Sequence, residues 1–292
     1  MIEESIVIRP PSEARSFLLP VTEGCSHNGC TFCGTFSDFR FHAYPIEDIK
    51  DYIDAFSKQY GHLVRRVFLE NGDALAAPQD VLRATLEHLK LRLPQLQRVG
   101  TYATPRAALA KTPEELRELR ELGLRMAYLG VESGNAEVLR RVCKGAAREE
   151  IIEAGRKLKA AGITLSVTVI LGLGGTELSE RHAVETGKIL TEIDPDFAGA
   201  LTLMLVPGTP LYRDQQEGRF HLISPRQSLL ELKLIIENAE FTNCFFTSNH
   251  ASNYLPVRVR LPQQKQEIIR LIDGILAGDD DSMLRPESFR GL

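Results

Sequence analysis

The chain has 292 residues, 43% of them hydrophobic and 25% charged, and 35 basic residues against 39 acidic ones leave a formal net charge of −4. That is the composition of one large globular domain, or of a barrel with a small extension, and it argues against a broad electrostatic footprint on nucleic acid. No apolar run is long enough to span a membrane, and five cysteines without an apolar N-terminal signal segment point to reduced thiols in the cytoplasm rather than to disulfides.

In chain order, Phe17-Leu18-Leu19-Pro20-Val21 reads as a strand and runs into Cys25-Ser26-His27-Asn28-Gly29-Cys30-Thr31-Phe32-Cys33. Iron-sulfur clusters normally take four thiolates, so Cys25, Cys30 and Cys33 would leave one iron of a cubane cluster open to a further ligand. The same spacing also suits a zinc staple with His27 or His42 as fourth ligand. Arg40, His42 and Tyr44 follow as candidates for the rim of the loop, with Phe39 and Phe41 as packing residues.

Strand-like and helix-like segments then alternate to about residue 240, the pattern of a parallel β/α sheet or barrel, with strands expected near 16–21, 65–70, 97–103, 125–131, 164–171 and 197–206. Thr112, Pro113 and Glu115 spell a capping box that starts a helix ending near Gly123, with Leu116, Leu119 and Leu122 as its inward stripe. A second helix is predicted from Arg148 to Ala161, stopped by Gly162, before the β-branched run from Thr164 to Leu171. Arg117, Arg120, Arg140, Arg141 and Lys144 are interleaved with acidic residues and read as a solvated helical face.

The segments after the strands carry the candidate chemistry. Leu69-Glu70-Asn71-Gly72-Asp73 offers a glycine and a carboxylate, and also fits a plain β-turn with a capping aspartate. Tyr128-Leu129-Gly130-Val131-Glu132-Ser133-Gly134 puts a glutamate behind a largely apolar strand, where burial requires a partner; an exposed loop carboxylate is the plainer alternative. Val169-Ile170-Leu171-Gly172-Leu173-Gly174-Gly175 lets the backbone approach a flat ligand, while its mis-spaced third glycine excludes a dinucleotide fingerprint. Val206-Pro207-Gly208-Thr209-Pro210 is a turn.

Over residues 15–215 these motifs, in this order, resemble those of the radical S-adenosylmethionine (SAM) enzymes, and in particular those related to the anaerobic coproporphyrinogen oxidase and methylthiotransferase groups. Members usually have three residues between the first two cysteines; the four between Cys25 and Cys30 mark a divergent subgroup. The resemblance implies an α/β fold, a partial (β/α)6 TIM-like barrel over residues 1–215, with an α/β C-terminal extension over 216–292. It implies a [4Fe-4S] cluster on Cys25, Cys30 and Cys33, and SAM bound through Phe32, Gly72, Asp73, Glu132, Ser133, Ile170 and Gly172. Reductive cleavage of SAM would give a 5′-deoxyadenosyl radical that abstracts hydrogen from substrate, with the electron arriving from a flavodoxin- or ferredoxin-like donor.

For the substrate, Phe245-Phe246-Thr247-Ser248-Asn249-His250-Ala251-Ser252-Asn253-Tyr254 is the candidate contact segment. His250, Asn253 and Tyr254 supply donors and acceptors without fixed charge, as an orienting pocket for a small molecule rather than a macromolecule needs; a polar loop before a helix at Gln263–Leu276 is the structural alternative. Cys143 and Cys244 fit no ligand spacing and read as buried free thiols. Two other functions remain open at this point: a haem- or cluster-binding carrier of the same fold, and a zinc-stapled structural protein.

Overall fold

A computed structural model describes residues 8–278 and 282–291. Its elements in chain order are β1 (Phe17–Pro20), β2 (Thr22–Glu23), β3 (His42–Ala43), α1 (Ile46–Tyr60), β4 (Arg66–Glu70), α2 (Gln79–Arg92), β5 (Arg98–Ala103), α3 (Pro105–Ala110), α4 (Pro113–Glu121), β6 (Leu124–Glu132), α5 (Ala136–Arg141) and α6 (Arg148–Ala160). There follow β7 (Thr164–Leu171), α7 (Gly175–Ile193), β8 (Phe197–Thr202), α8 (Pro210–Gln216), α9 (Pro225–Asn238), β9 (Cys244–Thr247), β10 (Arg258–Leu261) and α10 (Lys265–Ala277), besides short 3-10 turns. The fold is α/β with a mostly parallel eight-stranded sheet, of the partial TIM-like barrel class. All six expected strands are present. No helix among the described residues is long and apolar enough to cross a membrane.

The chain divides into two compact units. The first comprises the described part of Met1–Asn28 with Thr35–Leu129 and Glu153–Leu165. Here β1, β4, β5 and β6 lie side by side in parallel, with Pro20 opposite Glu70 and Leu69 opposite Thr101. Burial on both faces explains the near-continuous apolar run of β4, where Val67, Phe68 and Leu69 are fully buried. Phe68, Tyr102 and Tyr128 meet edge to face. Below them the buried Glu13 takes hydrogen bonds from Tyr128 Oη (2.5 Å) and Arg98 Nη2 (2.7 Å). The capping box of α4 forms as its sequence predicts, with Leu116 and Leu119 fully buried and Leu122 partly so.

The second unit comprises Gly29–Gly34, Gly130–Ile152 and the described part of Ser166–Leu292. In it β7 pairs with β8 and β8 with β9 in parallel, while β10 closes antiparallel on β9. Along β7 alternate side chains are buried: Leu165, Val167, Val169 and Leu171. The expected strand to residue 206 stops at Thr202, because β7 ends at Leu171 and offers no backbone beyond it to pair with. Residues 1–7 of the expected core 1–215, and 279–281 and 292 of the expected extension 216–292, lie outside the described residues.

Candidate functional site

Cys25 belongs to the first unit, and Cys30, Phe32 and Cys33 to the second. In the first unit, the Gly24 carbonyl beside Cys25 accepts the Gly72 N–H at 3.0 Å, tying the cysteine loop to the exit of β4. That approach requires glycine at 72: a Cβ there would stand 2.7 Å from Cβ of Cys25 and 2.8 Å from Cε2 of Phe36. Asp73, next in sequence, is fully buried. Its Oδ1 accepts the Thr104 N–H at 3.0 Å, and its Oδ2 accepts the Thr104 hydroxyl at 2.8 Å and the Ser26 hydroxyl. These donors offset the cost of burying a carboxylate. Asp73 thereby fastens the residue after Cys25 to the cap of α3, where the Thr104 hydroxyl also accepts Ala107 N–H.

In the second unit, the Thr31 N–H donates to the Val142 carbonyl and the Thr31 carbonyl accepts Leu211 N–H, both at 3.0 Å. The Cys33 N–H turns back onto the Cys30 carbonyl at 3.2 Å. Phe32 packs against the buried cluster of Val138, Val142, Leu173, Leu178, Leu203 and Leu211. This short loop is thus anchored by its middle, leaving Cys30 half-buried and Cys33 exposed, neither in a disulfide. The Thr31 hydroxyl is buried without a hydrogen-bond partner among the described residues. An unsatisfied donor between two cysteines in sequence suits an iron-sulfur cluster, whose sulfur atoms accept hydrogen bonds.

At the last residue of β6, Glu132 has a left-handed backbone (φ 63°) and its Oε1 pairs with Lys144 Nζ at 2.8 Å, the two side chains being only 12% and 9% exposed. A Cβ on Gly130 would lie 2.1 Å from that oxygen, so glycine at 130 makes room for the glutamate to fold back over its own strand. Ser133 is fully buried. Its hydroxyl lies 2.8 Å from His182 Nδ1 and accepts Asn135 N–H at 3.0 Å. His182 Nε2 donates to the Ile170 carbonyl at 3.1 Å, and burial pushes the imidazole pKa down to about 4. The Gly172 N–H donates to Glu231 Oε2 at 2.7 Å, and Ser179 Oγ donates to Glu231 Oε1 at 2.6 Å. Burial pushes the Glu231 carboxyl up to about 7, against the lowering by those two bonds.

The C-terminal segment is held from both sides. Asn253 accepts Thr202 Oγ1–H at 2.9 Å and donates to the Ala200 carbonyl at 2.8 Å. His250 Nδ1 accepts Ser252 N–H at 3.1 Å, and burial followed by the nearby Arg285 charge lowers the imidazole pKa. Tyr254 donates to Glu287 Oε2 at 2.7 Å and accepts from Arg290 Nη1 at 2.6 Å, with the guanidinium 4.3 Å above its ring. Burial and the Glu287 bond push the phenol up to about 12. Tyr254, Glu287 and Arg290 share the lining of a cleft of about 140 Å³ with Gly172 and the apolar Leu171, Leu203 and Ile223.

Of the predicted residues, the fold thus links Cys25 to Gly72 and, through Ser26, Asp73 in the first unit, and Ser133, Ile170 and Gly172 through His182 and Glu231 in the second. Tyr254 and Gly172 share the cleft; His250 and Asn253 do not line it and bond instead to backbone at Ser252 and Ala200. Lys144, His182, Glu231 and Thr104 were missed. Lys144 is the partner that a buried Glu132 requires, not part of a solvated face. Ser179, His182 and Thr186, at i, i+3 and i+7, were a legible polar stripe on α7. Cys244 is buried as expected, whereas Cys143 is exposed at a left-handed turn (φ 51°) where the chain leaves α5.

Residues 19–187 match the family model described as the radical SAM superfamily. The chain is 18% identical over 226 residues to the heme chaperone HemW of Bacillus subtilis, covering 74% of this chain and 58% of that protein. It is 26% identical over 228 residues to the tRNA-2-methylthio-N(6)-dimethylallyladenosine synthase of Thermus thermophilus, covering 71% and 45%. Coproporphyrinogen III oxidase (HemN) from Escherichia coli, a solved structure, superposes with a TM-score of 0.56 at 19% identity, covering 76% of this chain and 51% of that one. The chain spans about half the length of these relatives.

Proposed function

The chain belongs to the radical SAM superfamily, an enzyme family whose cofactors are a [4Fe-4S] cluster and SAM, and from that premise we propose that Cys25, Cys30 and Cys33 hold the cluster and that the strand-exit loops receive SAM. The observation that carries the proposal is the pairing of a family match over residues 19–187 with a three-cysteine loop that follows β1 and the short β2 and is fastened in each unit by its own backbone bonds. When bound, the cluster and SAM supply a 5′-deoxyadenosyl radical by one-electron cleavage, with methionine as the other product.

What the chain contributes is placement. Gly72 keeps the Cys25 backbone against the exit of β4, and Asp73, through Ser26, fixes the residue that follows it. Because Ser26 and Thr104 both donate to Asp73, its role in this proposal is to orient the loop, leaving the backbone carbonyls of the turn to receive the SAM ammonium. Glu132, preset by Lys144, and Ser133 serve the ribose and methionyl side, and the Ile170–Gly172 backbone serves the adenine side. Phe32 acts from beneath, by anchoring the loop in the apolar core.

On the substrate side we assign Tyr254 as the contact residue, because it lines the cleft, with His250 and Asn253 acting indirectly through the segment that carries it. A cleft lined by both apolar and polar side chains suits a small molecule with an apolar portion. The electron would come from a flavodoxin- or ferredoxin-like protein.

The test is 5′-deoxyadenosine formation from SAM by the anaerobically reconstituted, reduced protein. Product that disappears in Cys33→Ser is the expected result. A protein that takes up zinc and no iron under the same reconstitution would overturn the assignment of the cysteines.

A further inference from the structure

Resting on the reading that Ser133, Ile170 and Gly172 face SAM, we infer that His182 and Glu231 are positioning residues that fix the loops after β6 and β7 as one unit. The two loops are separated by a whole β/α repeat, yet one imidazole bonds to both. The Ile170 carbonyl can only accept, so the proton of His182 sits on Nε2; Nδ1 is therefore an acceptor, and the Ser133 hydroxyl donates to it. That leaves the Ser133 oxygen to accept Asn135 N–H, which fixes the start of α5. One turn further along α7, the Thr186 hydroxyl accepts Gly134 N–H at 2.9 Å and donates to the His182 carbonyl.

Glu231 completes the arrangement from a different element, α9. Its Oε2 takes the Gly172 N–H and lies 3.7 Å from His182 Nε2, while Oε1 takes the Ser179 hydroxyl of α7. Gly172 N–H and the Ile170 carbonyl are backbone groups at the end of β7, and each is bonded by a side chain, the carbonyl also accepting Leu173 N–H at 3.4 Å. The His182 and Glu231 side chains that hold this turn are fully buried. With the imidazole held neutral by burial, its tautomer stays the one that both loops require.

Three kinds of substitution separate positioning from mere packing, all read on the full chain loaded with its cluster under anaerobic, unreduced conditions, with the SAM Kd measured by equilibrium dialysis beside iron content. His182→Gln keeps a donor for Ile170 and loses the acceptor for Ser133; His182→Asn does the reverse. Each is expected to weaken SAM binding about ten-fold at unchanged iron content, the equivalent of one hydrogen bond to an ordered loop. Adding Ser133→Ala to His182→Gln should cost less than about two-fold more, since both remove one link. Glu231→Leu should also lose about ten-fold, and Glu231→Gln, which retains an oxygen for Gly172 N–H, should recover most of it. Should a His182 variant fail to fold, the Glu231 pair decides. Iron-replete variants that bind SAM within about two-fold of wild type, or Ser133 and His182 effects that simply multiply, overturn the inference alone. Iron-replete wild type that binds no SAM overturns the underlying reading, and the inference with it.

Discussion

Two strand-exit loops each bury a carboxylate, and they neutralise it in opposite ways. After β4, Asp73 is satisfied by uncharged donors: a backbone N–H and two hydroxyls. After β6, Glu132 is satisfied by a cation, Lys144, at 2.8 Å. Hydrogen bonds from neutral groups distribute over fixed geometry and lock the pieces that carry them, so the first loop is a clamp. A lysine has a flexible stem and one compact charge, so the second loop is held mainly by electrostatics, and its glutamate is preset rather than consumed. The difference bears on which carboxylate can serve a ligand: Glu132 has more acceptor capacity left than one ammonium uses.

The largest expected effect breaks the charged case. Lys144→Met leaves Glu132 buried without its cation and should destabilise the chain by about 3 kcal/mol, the usual scale for removing one partner of a buried pair. Urea unfolding of the cluster-free chain measures this. Adding Glu132→Leu should restore most of the loss; a double variant no better than the single would mean that Lys144 acts through packing instead.

A comparable effect concerns the pair that joins the β6 and β7 loops, and it appears only when one partner is removed. Glu231 is raised from 4.5 to about 7 and His182 lowered from 6.5 to about 4. For Glu231 the folded state binds the extra proton, so stability falls as pH rises from about 4.5 to 7. For His182 the unfolded state binds it, so stability rises from about 4 to 6.5. Each swing amounts to roughly 3 kcal/mol at 1.36 kcal/mol per pH unit, and in wild type they oppose over pH 4.5–6.5. His182→Gln should therefore expose a loss of stability with rising pH and Glu231→Gln a gain. Identical pH profiles for all three proteins would dismiss the compensation.

Much of this was legible beforehand, because strands, caps and cysteine spacing are written locally. The capping box at Thr112–Glu115 and the strand that ends in Glu132 follow from residues within a turn of one another. What stayed hidden is long-range pairing. Nothing near Glu132 announces that Lys144 folds back on it, and a charge among Arg140, Arg141 and Glu137 looks solvated by composition. Glu231 likewise lies in an amphipathic helix, and only the tertiary fold brings it to Gly172, 59 residues earlier. The C-terminal segment teaches the converse: its dense polar groups were visible, but fold closure spends most of them on Thr202, Ala200 and the Arg285–Arg290 region.

The neutral clamp gives a smaller effect. Asp73→Asn keeps one acceptor for Thr104 N–H but turns a donor toward two hydroxyls, and roughly 2 kcal/mol should be lost. Unlike the Lys144 effect, it should persist nearly unchanged in about 0.5–1 M salt, where screening is strong, because the Thr104 and Ser26 donors carry no charge.

The smallest effect sharpens how the second loop is framed once its charge is set aside. Asn135 caps α5, its Oδ1 accepting Val138 N–H at 2.9 Å, while its amide donates to Glu185 at 2.7 Å. Asn135→Ala should cost about 1 kcal/mol, the value of an N-cap, and Asn135→Asp should retain the cap but set a second carboxylate against Glu185. If the loop is positioned mainly by its cap, both SAM affinity and stability should fall together in the alanine variant. If it is positioned by the Ser133–His182 link, SAM affinity should hold within about two-fold while stability drops by that 1 kcal/mol, since Asn135 N–H still donates to the Ser133 hydroxyl whatever the side chain. The second result is expected, because the bond that orients Ser133 uses the backbone of residue 135 and is indifferent to its substitution.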